Sequence, residues 1–320
     1  MSADVITKAR YNRTLYVASW LLVLYTVVII AWGAWVRISG SGDGCGDHWP
    51  LCNGAAVPLG APKKTWIEVS HRYSTALFGV LVLLQIVFIR LKTSQGNLAR
   101  RWVWLTLLFT LTEALFGRAL VKNGLVNESE DLGRLIVMPL HLLNTSLLLF
   151  SEVVTAEGIR FFDYARSPLT RRQRTSLVAI LVGLVLLLTT GAIAALGSHL
   201  MPSSSFVQGL QHDFSSDAHL AVRLRVIHPL LALSIPMLLW FYLGNSPSEV
   251  SDISRQSKGA YRHLAWGTLA TIFIGILTLG LLSPTWLKLA HLLAANFLVI
   301  LASRAVFHSL WRPWRTENGN

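Results

Sequence analysis

Charged residues are scarce in this sequence. They make up 14% of its 320 residues, whereas about a quarter is usual for a soluble chain. This shortage excludes an ordinary soluble globular protein. Eight long runs carry almost no charge, and each is close to the ~20 residues that cross a bilayer as a helix. The sequence therefore predicts an all-α membrane protein with eight transmembrane helices, in the runs 15–36, 69–89, 102–121, 135–156, 176–196, 222–243, 264–282 and 286–307.

Acidic residues are fewer than basic ones, and the basic residues predict the orientation. With the N-terminus inside, 18 lysines and arginines lie on the inner side and 10 on the outer side. This bias follows the positive-inside rule and predicts that both termini are cytoplasmic, in the cell (inner) membrane. The net charge of +12 requires no nucleic-acid partner, because basic inner loops facing anionic lipid account for it.

Cysteine is nearly absent, since Cys45 and Cys52 are the two in the chain. Both lie in the glycine-rich stretch GSGDGCGDHWPLCNG, residues 40–54, on the predicted outer side, where disulfides persist. Glycines and Pro50 allow this stretch to turn back on itself. We expect a disulfide that closes a short loop. Free thiols, or a thiol–metal site that includes His48, are the alternatives.

The chain contains an internal repeat. The stretch HRYSTALFGVLVLL from His71 resembles HPLLALSIPMLLW from His228, and PLHLLNTSLLLF at 139–150 resembles LAHLLAANFLVI at 289–300. An even number of spans in each copy keeps both copies the same way up. The repeat predicts two pseudo-symmetric four-helix bundles, with residues 1–170 in the N-terminal half and 171–320 in the C-terminal half.

Four of the ten histidines lie inside predicted spans. His71, His141, His228 and His291 each follow the start of an even-numbered span by two to seven residues, roughly 3–10 Å below the outer boundary. Ionisable residues inside a membrane are costly and mark functional sites. Apart from Glu68, no carboxylate or thiolate lies beside the histidine pairs to complete a four-ligand zinc or copper site. Each half is therefore expected to hold a haem between two histidines.

The two predicted haem sites differ in charge. Glu68 stands one helical turn before His71, whereas Arg225 stands one turn before His228. This difference indicates that one site performs chemistry and the other holds a permanent redox cofactor. Three arginines at this level are candidate partners of haem propionates or, alternatively, interfacial anchors: Arg72, Arg223 and Arg225.

Five stretches together carry a resemblance to a known family. VRISGSGDGCGDHWPLCNG, EVSHR, HLLNTS, VRLRVIHPLLAL and LKLAHLLAANF resemble heme A synthases of the bacterial type, which have a cysteine pair in the first outer loop. Enzymes of this family oxidise the C8 methyl group of heme O to a formyl group, giving heme A for terminal oxidases. The acidic segment NESEDLG, residues 127–133, matches none of the family's motifs.

The resemblance implies a role for each site residue. Glu68 would match the catalytic carboxylate, and Cys45 and Cys52 the disulfide, which would brace the loop as a lid or take part in redox chemistry. The substrate haem would lie in the N-terminal half and a resident heme b in the C-terminal half. Their ligands would be His71 with His141 and His228 with His291, respectively.

The resemblance also implies partners and leaves alternatives to be tested. Heme O, heme A and the lipid bilayer would be the partners, together with heme O synthase and oxidase assembly factors. A di-haem electron carrier would need a haem near each face, but all four histidines lie near the outer face. A haem transporter or chaperone would not need Glu68 beside one site.

Overall fold

The computed structural model describes residues 12–126, 129–160, 164–166, 169–244 and 255–313. Helices form most of this part of the chain. Eight helical stretches within it are long and apolar enough to cross a membrane, which confirms the predicted all-α membrane fold. Which side of the membrane the two ends of the bundle face stays a prediction. The end that carries residues 40–54 is called the outer end below.

Four long helices form the N-terminal half. They are α1 (Arg13–Ile38), α2 (Lys63–Lys92), α3 (Ala99–Lys122) and α4 (Arg134–Ile159). The side chain of Asn12 caps the first turn of α1. Each helix packs against the next, and α4 also packs against α1, so the four helices close a ring.

The C-terminal half repeats this arrangement. Its helices are α5 (Arg171–Leu200), α6 (Phe206–Phe214), α7 (Leu220–Leu224), α8 (Ile227–Gly244), α9 (Arg255–Gly280) and α10 (Thr285–Leu310). The α7 and α8 helices together make the sixth span, and α9 and α10 the seventh and eighth. Packing of α5 on α7 and α8, of α8 on α9, and of α10 on both α9 and α5 closes a second ring.

The sixth span is broken, whereas the sequence predicts one continuous helix over 222–243. The regular helix is interrupted at Arg225 and Val226, between α7 and α8, although Arg225 keeps helical backbone angles. Pro229 explains the break, because it has no backbone N–H to donate to the carbonyl of Arg225 four residues earlier. The seventh span also differs, because α9 ends at Gly280 rather than at residue 282.

The two halves share a buried apolar interface. Helix α4 packs on α5 and α10, and α1 also packs on α10. A short antiparallel pair of strands, β1 (Tyr164–Arg166) and β2 (Trp311–Pro313), joins the segment between the halves to the end of α10. One buried cluster contains residues of both halves: Val23, Val27, Leu149, Val153, Leu188, Val299 and Ile300. The predicted division at residue 170 falls just before α5, and two separate domains stay a prediction.

Candidate functional site

The four histidines lie at matching places near the outer ends of the even-numbered spans. Each follows the start of its span by about two helical turns, because the helices begin earlier than the apolar runs predict. Within the N-terminal half, His71 and His141 are close enough to interact electrostatically. In the C-terminal half, the ring centroids of His228 and His291 are 6.2 Å apart. The fold therefore brings the histidines together in the two predicted pairs.

Glycines on the preceding helices make room for three of the four imidazole rings. A Cβ atom built on Gly33 of α1 would lie 2.9 Å from Cε1 of His71, closer than real Cβ contacts. Alanine at this position would force the ring to move. The other two pairs are Gly191 with His228, at 3.1 Å, and Gly275 with His291, at 3.0 Å.

The C-terminal pair fits ligation of one haem iron. With metal–imidazole bonds of about 2 Å, two rings on opposite sides of one iron have centroids about 6 Å apart, close to the observed separation of His228 and His291. The Nδ1 atom of His228 lies 3.2 Å from the hydroxyl oxygen of Thr190. Among the described residues, no cluster of three or more protein ligands could hold a bare metal ion. Two histidines suffice for a porphyrin iron, which brings four nitrogens of its own.

The N-terminal pair has a carboxylate beside it. Oε1 of Glu113, on α3, lies 3.4 Å from Nδ1 of His141. The same carboxylate accepts a hydrogen bond of 2.5 Å from the Asn144 amide and another from the Thr145 hydroxyl. Glu113 is not among the site residues predicted from the sequence. A signal for it exists, because Glu113 and Arg118 are the two charged residues in the run 102–121, and Glu113 lies further from its end.

Glu68 is buried and fully engaged. Its side chain sits one turn before His71 on α2, and the residue is 3% exposed. Oε2 accepts a hydrogen bond of 2.8 Å from the backbone N–H of Cys45. Oε1 accepts bonds of 3.1 and 2.5 Å from Nε and Nη2 of Arg72. Arg72 in turn donates to three loop carbonyls, those of His48 at 2.7 Å, Leu51 at 2.8 Å and Pro50 at 3.5 Å.

The outer loop of the N-terminal half is closed by the predicted disulfide between Cys45 and Cys52. Gly44, which precedes Cys45, lies against the start of α2. A Cβ atom at Gly44 would stand 2.8 Å from backbone atoms of Lys64 and Thr65, so a side chain does not fit there. The Thr65 hydroxyl donates a 2.8 Å hydrogen bond to the Gly44 carbonyl. The loop therefore sits firmly on the helix that carries Glu68 and His71.

An ion pair, rather than a disulfide, holds the outer loop of the C-terminal half. Arg225 donates a 2.5 Å hydrogen bond to the carboxylate of Asp213, which belongs to α6. It also donates to the carbonyls of Met201 and Gly209, each at 3.1 Å. Arg225 thus ties α6 to the sixth span, as Glu68 and Arg72 tie the disulfide loop to α2. Helix α6 is absent from the sequence prediction, although Ser205 and Gln208 have the spacing of a capping box.

These contacts bear on the predicted propionate partners. The guanidinium groups of Arg72 and Arg225 hold outer loops. Arg223 is exposed, and no ion pair is found for it among the described residues. The propionate role of all three stays a prediction. In the acidic segment, residues 127 and 128 lie outside the described residues, and the carbonyl of Glu130 lies 3.0 Å from Nε2 of His219 in the other half.

Comparisons with known proteins point to one family. The profile of the cytochrome oxidase assembly proteins COX15-CtaA matches residues 16–303. A protein of Thermus thermophilus named protoheme IX farnesyltransferase is 33% identical over 311 residues, which cover 94% of this chain and 50% of that protein. A Bacillus cereus protein named heme A synthase is 28% identical over 182 residues, covering 54% of this chain and 56% of that protein. The chain thus spans about half the length of the curated relatives it matches.

Proposed function

Because the chain belongs to the COX15-CtaA family of cytochrome oxidase assembly proteins, we propose that it oxidises the C8 methyl group of heme O to a formyl group, giving heme A for terminal oxidases. The names of the Thermus and Bacillus relatives both concern haem chemistry, which supports a haem substrate. The chain is a multi-pass membrane protein. We place it in the inner membrane, with its termini cytoplasmic and its histidines towards the extracytoplasmic side.

The main support for this proposal is that the charged groups near the two histidine pairs differ. The N-terminal pair has two carboxylates nearby, Glu113 beside His141 and Glu68 one turn from His71. The corresponding position before His228 is occupied by Arg225, and no carboxylate lies within ion-pair distance of either C-terminal histidine in the described part of the chain. A reaction that removes electrons and protons from a methyl group needs proton acceptors. We therefore assign the substrate to the N-terminal half.

Each histidine pair then has a distinct task. In the N-terminal half, His71 and His141 bind the iron of heme O and hold its ring beneath the disulfide loop. In the C-terminal half, His228 and His291 hold a heme b, which supplies single-electron transfer when bound. Their 6.2 Å separation supports this assignment. Heme O synthase and oxidase assembly factors are the proposed partners, as supplier of the substrate and users of the product.

Glu68 is the proposed catalytic carboxylate. It is the buried acid nearest in sequence to His71, and Arg72 and the Cys45 N–H fix its position. A carboxylate held near the reacting carbon can accept a proton or stabilise developing positive charge, which is typically worth ~10²–10⁴ in rate. The same contacts would also serve a purely structural brace for the loop. The Glu68→Gln variant, described in the Discussion, separates these roles.

Turnover of heme O by the purified protein tests the proposed function. Heme O is added with an electron acceptor, and the extracted haems are identified by mass spectrometry. We expect heme A, and the same yield from His263→Ala, because His263 is exposed and far along the chain from the histidine pairs. A di-haem electron carrier or a haem transporter would bind haem and return heme O unchanged, and that result would refute the proposal.

A further inference from the structure

One of the four haem-site histidines has a carboxylate as its neighbour. Glu113 Oε1 lies 3.4 Å from Nδ1 of His141. In the described part of the chain, none of the other three has an acidic group within ion-pair distance. We infer that Glu113 is a positioning residue that accepts the Nδ1 proton of His141 when this histidine binds iron and thereby makes it a more basic iron ligand than the others. The inference rests on the proposed function only in assuming that His141 binds a haem.

The helix preceding His141 has a different design from its three counterparts. On α1, α5 and α9, a glycine packs against the histidine ring of the next span. The matching glycine on α3 is Gly117, where an added Cβ would meet no other atom within 4 Å. Glu113 precedes Gly117 by four residues and therefore lies on the same face. His141 thus faces a carboxylate one turn away from the position at which the other histidines face glycine.

The internal repeat shows that this carboxylate is particular to one half. Gly33 and Gly191, like Gly117 and Gly275, are separated by 158 residues, and the same spacing places Thr271 opposite Glu113. The Thr271 hydroxyl donates a 2.8 Å hydrogen bond to the carbonyl of Gly267 on its own helix. Position 271 therefore offers no charge to His291.

The contacts of Glu113 leave it as a hydrogen-bond acceptor. Both of its other side-chain partners, the Asn144 amide and the Thr145 hydroxyl, act as donors towards it. Both partners are buried, at 7% and 5% exposure. At the repeat spacing of His141 and His291, their counterparts are Ala294 and Ala295, so the whole polar group is missing from the C-terminal half.

A carboxylate at this place changes the iron through its ligand. A carboxylate that accepts the second N–H of a metal-bound histidine fixes the tautomer and ring orientation and raises the basicity of the ligand. A more basic ligand stabilises ferric over ferrous iron. The N-terminal haem should therefore be harder to reduce with Glu113 present than without it, whereas the C-terminal haem should not respond to Glu113.

The test measures reduction potentials rather than activity. The purified full-length protein is loaded with heme b, and the potentials of both haems are measured by spectroelectrochemical titration. The component lost in His141→Ala identifies the N-terminal haem. In Glu113→Gln, we expect the ferrous-to-ferric ratio of this haem at fixed potential to rise about tenfold, which is about 59 mV for a one-electron couple. The C-terminal haem should be unchanged.

Glu152→Gln is the matched control. Glu152 is also a buried carboxyl group on a helix of the N-terminal half, and it accepts a 2.9 Å hydrogen bond from the Thr26 hydroxyl. It lies about three turns further along α4 than His141. An unchanged potential in Glu113→Gln, an equal shift of both haems, or the same shift in Glu152→Gln would overturn the inference.

If Glu113→Gln no longer binds haem at the N-terminal site, a conservative variant still tests the inference. Glu113→Asp keeps a carboxylate, and we expect it to restore binding of heme b at the N-terminal site by at least tenfold over the glutamine variant, in line with the usual effect of such partners. No restoration would refute the positioning role. Failure of the wild-type protein to oxidise heme O would refute the proposed function while leaving the potential shift in place, so the two failures are distinguishable.

Discussion

Glu68 connects the chemistry proposed for the N-terminal half to its architecture. Its two oxygens receive hydrogen bonds from the Cys45 N–H and from the Arg72 guanidinium. A buried carboxylate needs such partners to remain charged. The position therefore anchors the loop, and we propose that it also supplies a fixed basic group one turn from His71.

Replacing Glu68 by glutamine separates these purposes. The amide oxygen can still accept the hydrogen bond from Cys45, but the ion pair with Arg72 and the basic oxygen are lost. We expect Glu68→Gln to bind both haems and to make little heme A, with the hydroxylated intermediate accumulating. Haem content is measured by absorption spectroscopy, and the products by mass spectrometry.

The control for this variant is Glu130→Gln, which changes an exposed outer-loop acid. It should leave both haem content and product yield at wild-type values. Near-normal heme A production by Glu68→Gln, at unchanged haem content, would show that the carboxylate is only a loop anchor.

Most of the fold could be predicted from the sequence, but several contacts of the site could not. Hydropathy locates the spans, because a helix that crosses lipid must be long and apolar whatever its neighbours are. The break near Arg225 also has a signal in the sequence, because Pro229 lacks the backbone donor for the carbonyl of Arg225. The pairing of Glu113 with His141 depends on how α3 and α4 rotate against each other. Residues 28 positions apart carry no periodic signal for such a contact.

The helices α1, α5 and α9 use glycine to admit an imidazole from the next span. Gly33→Ala tests this arrangement, because the added methyl group would lie 2.9 Å from Cε1 of His71. We expect displacement of the ring, seen as loss of low-spin character or at least tenfold weaker haem binding at the N-terminal site.

Gly79→Ala is the matched control, because a Cβ at Gly79 of α2 meets no other atom within 4 Å. It should keep the wild-type spectrum and stabilise the helix slightly. An unaltered haem spectrum in Gly33→Ala would contradict the close packing described for this pair.

The disulfide loop lies against the start of α2, and we expect it to act as a lid over the N-terminal site. Its bond between Cys45 and Cys52 adds to the anchoring by Glu68 and Arg72, so its loss should loosen the loop without releasing it. We expect Cys45→Ser with Cys52→Ser to lower activity through weaker haem binding rather than to abolish it. Haem dissociation and heme A yield are measured together.

Mass spectrometry of unreduced, alkylated peptides from intact membranes checks the bond itself. Alkylation of both thiols without reductant would contradict the lid. A complete loss of activity at full haem occupancy would instead favour a redox role for the two cysteines.

The molecule as a whole consists of two similar helical rings with unequal chemistry. They share the helix interface between α4, α5 and α10 and present their histidine pairs at the same end. Carboxylates and a disulfide loop accompany the N-terminal pair, whereas Arg225 and α6 accompany the C-terminal pair. The central claim is that substrate and resident cofactor occupy different halves.

Identification of the haem retained by two matched variants tests this claim most directly. His71→Ala and His228→Ala remove one ligand from each half, and the haems that copurify with each variant after incubation with heme O are identified by mass spectrometry. We predict that His71→Ala keeps heme b and lacks heme O and heme A, whereas His228→Ala loses heme b and still binds heme O. The opposite distribution, or loss of the same haem from both variants, would contradict the account.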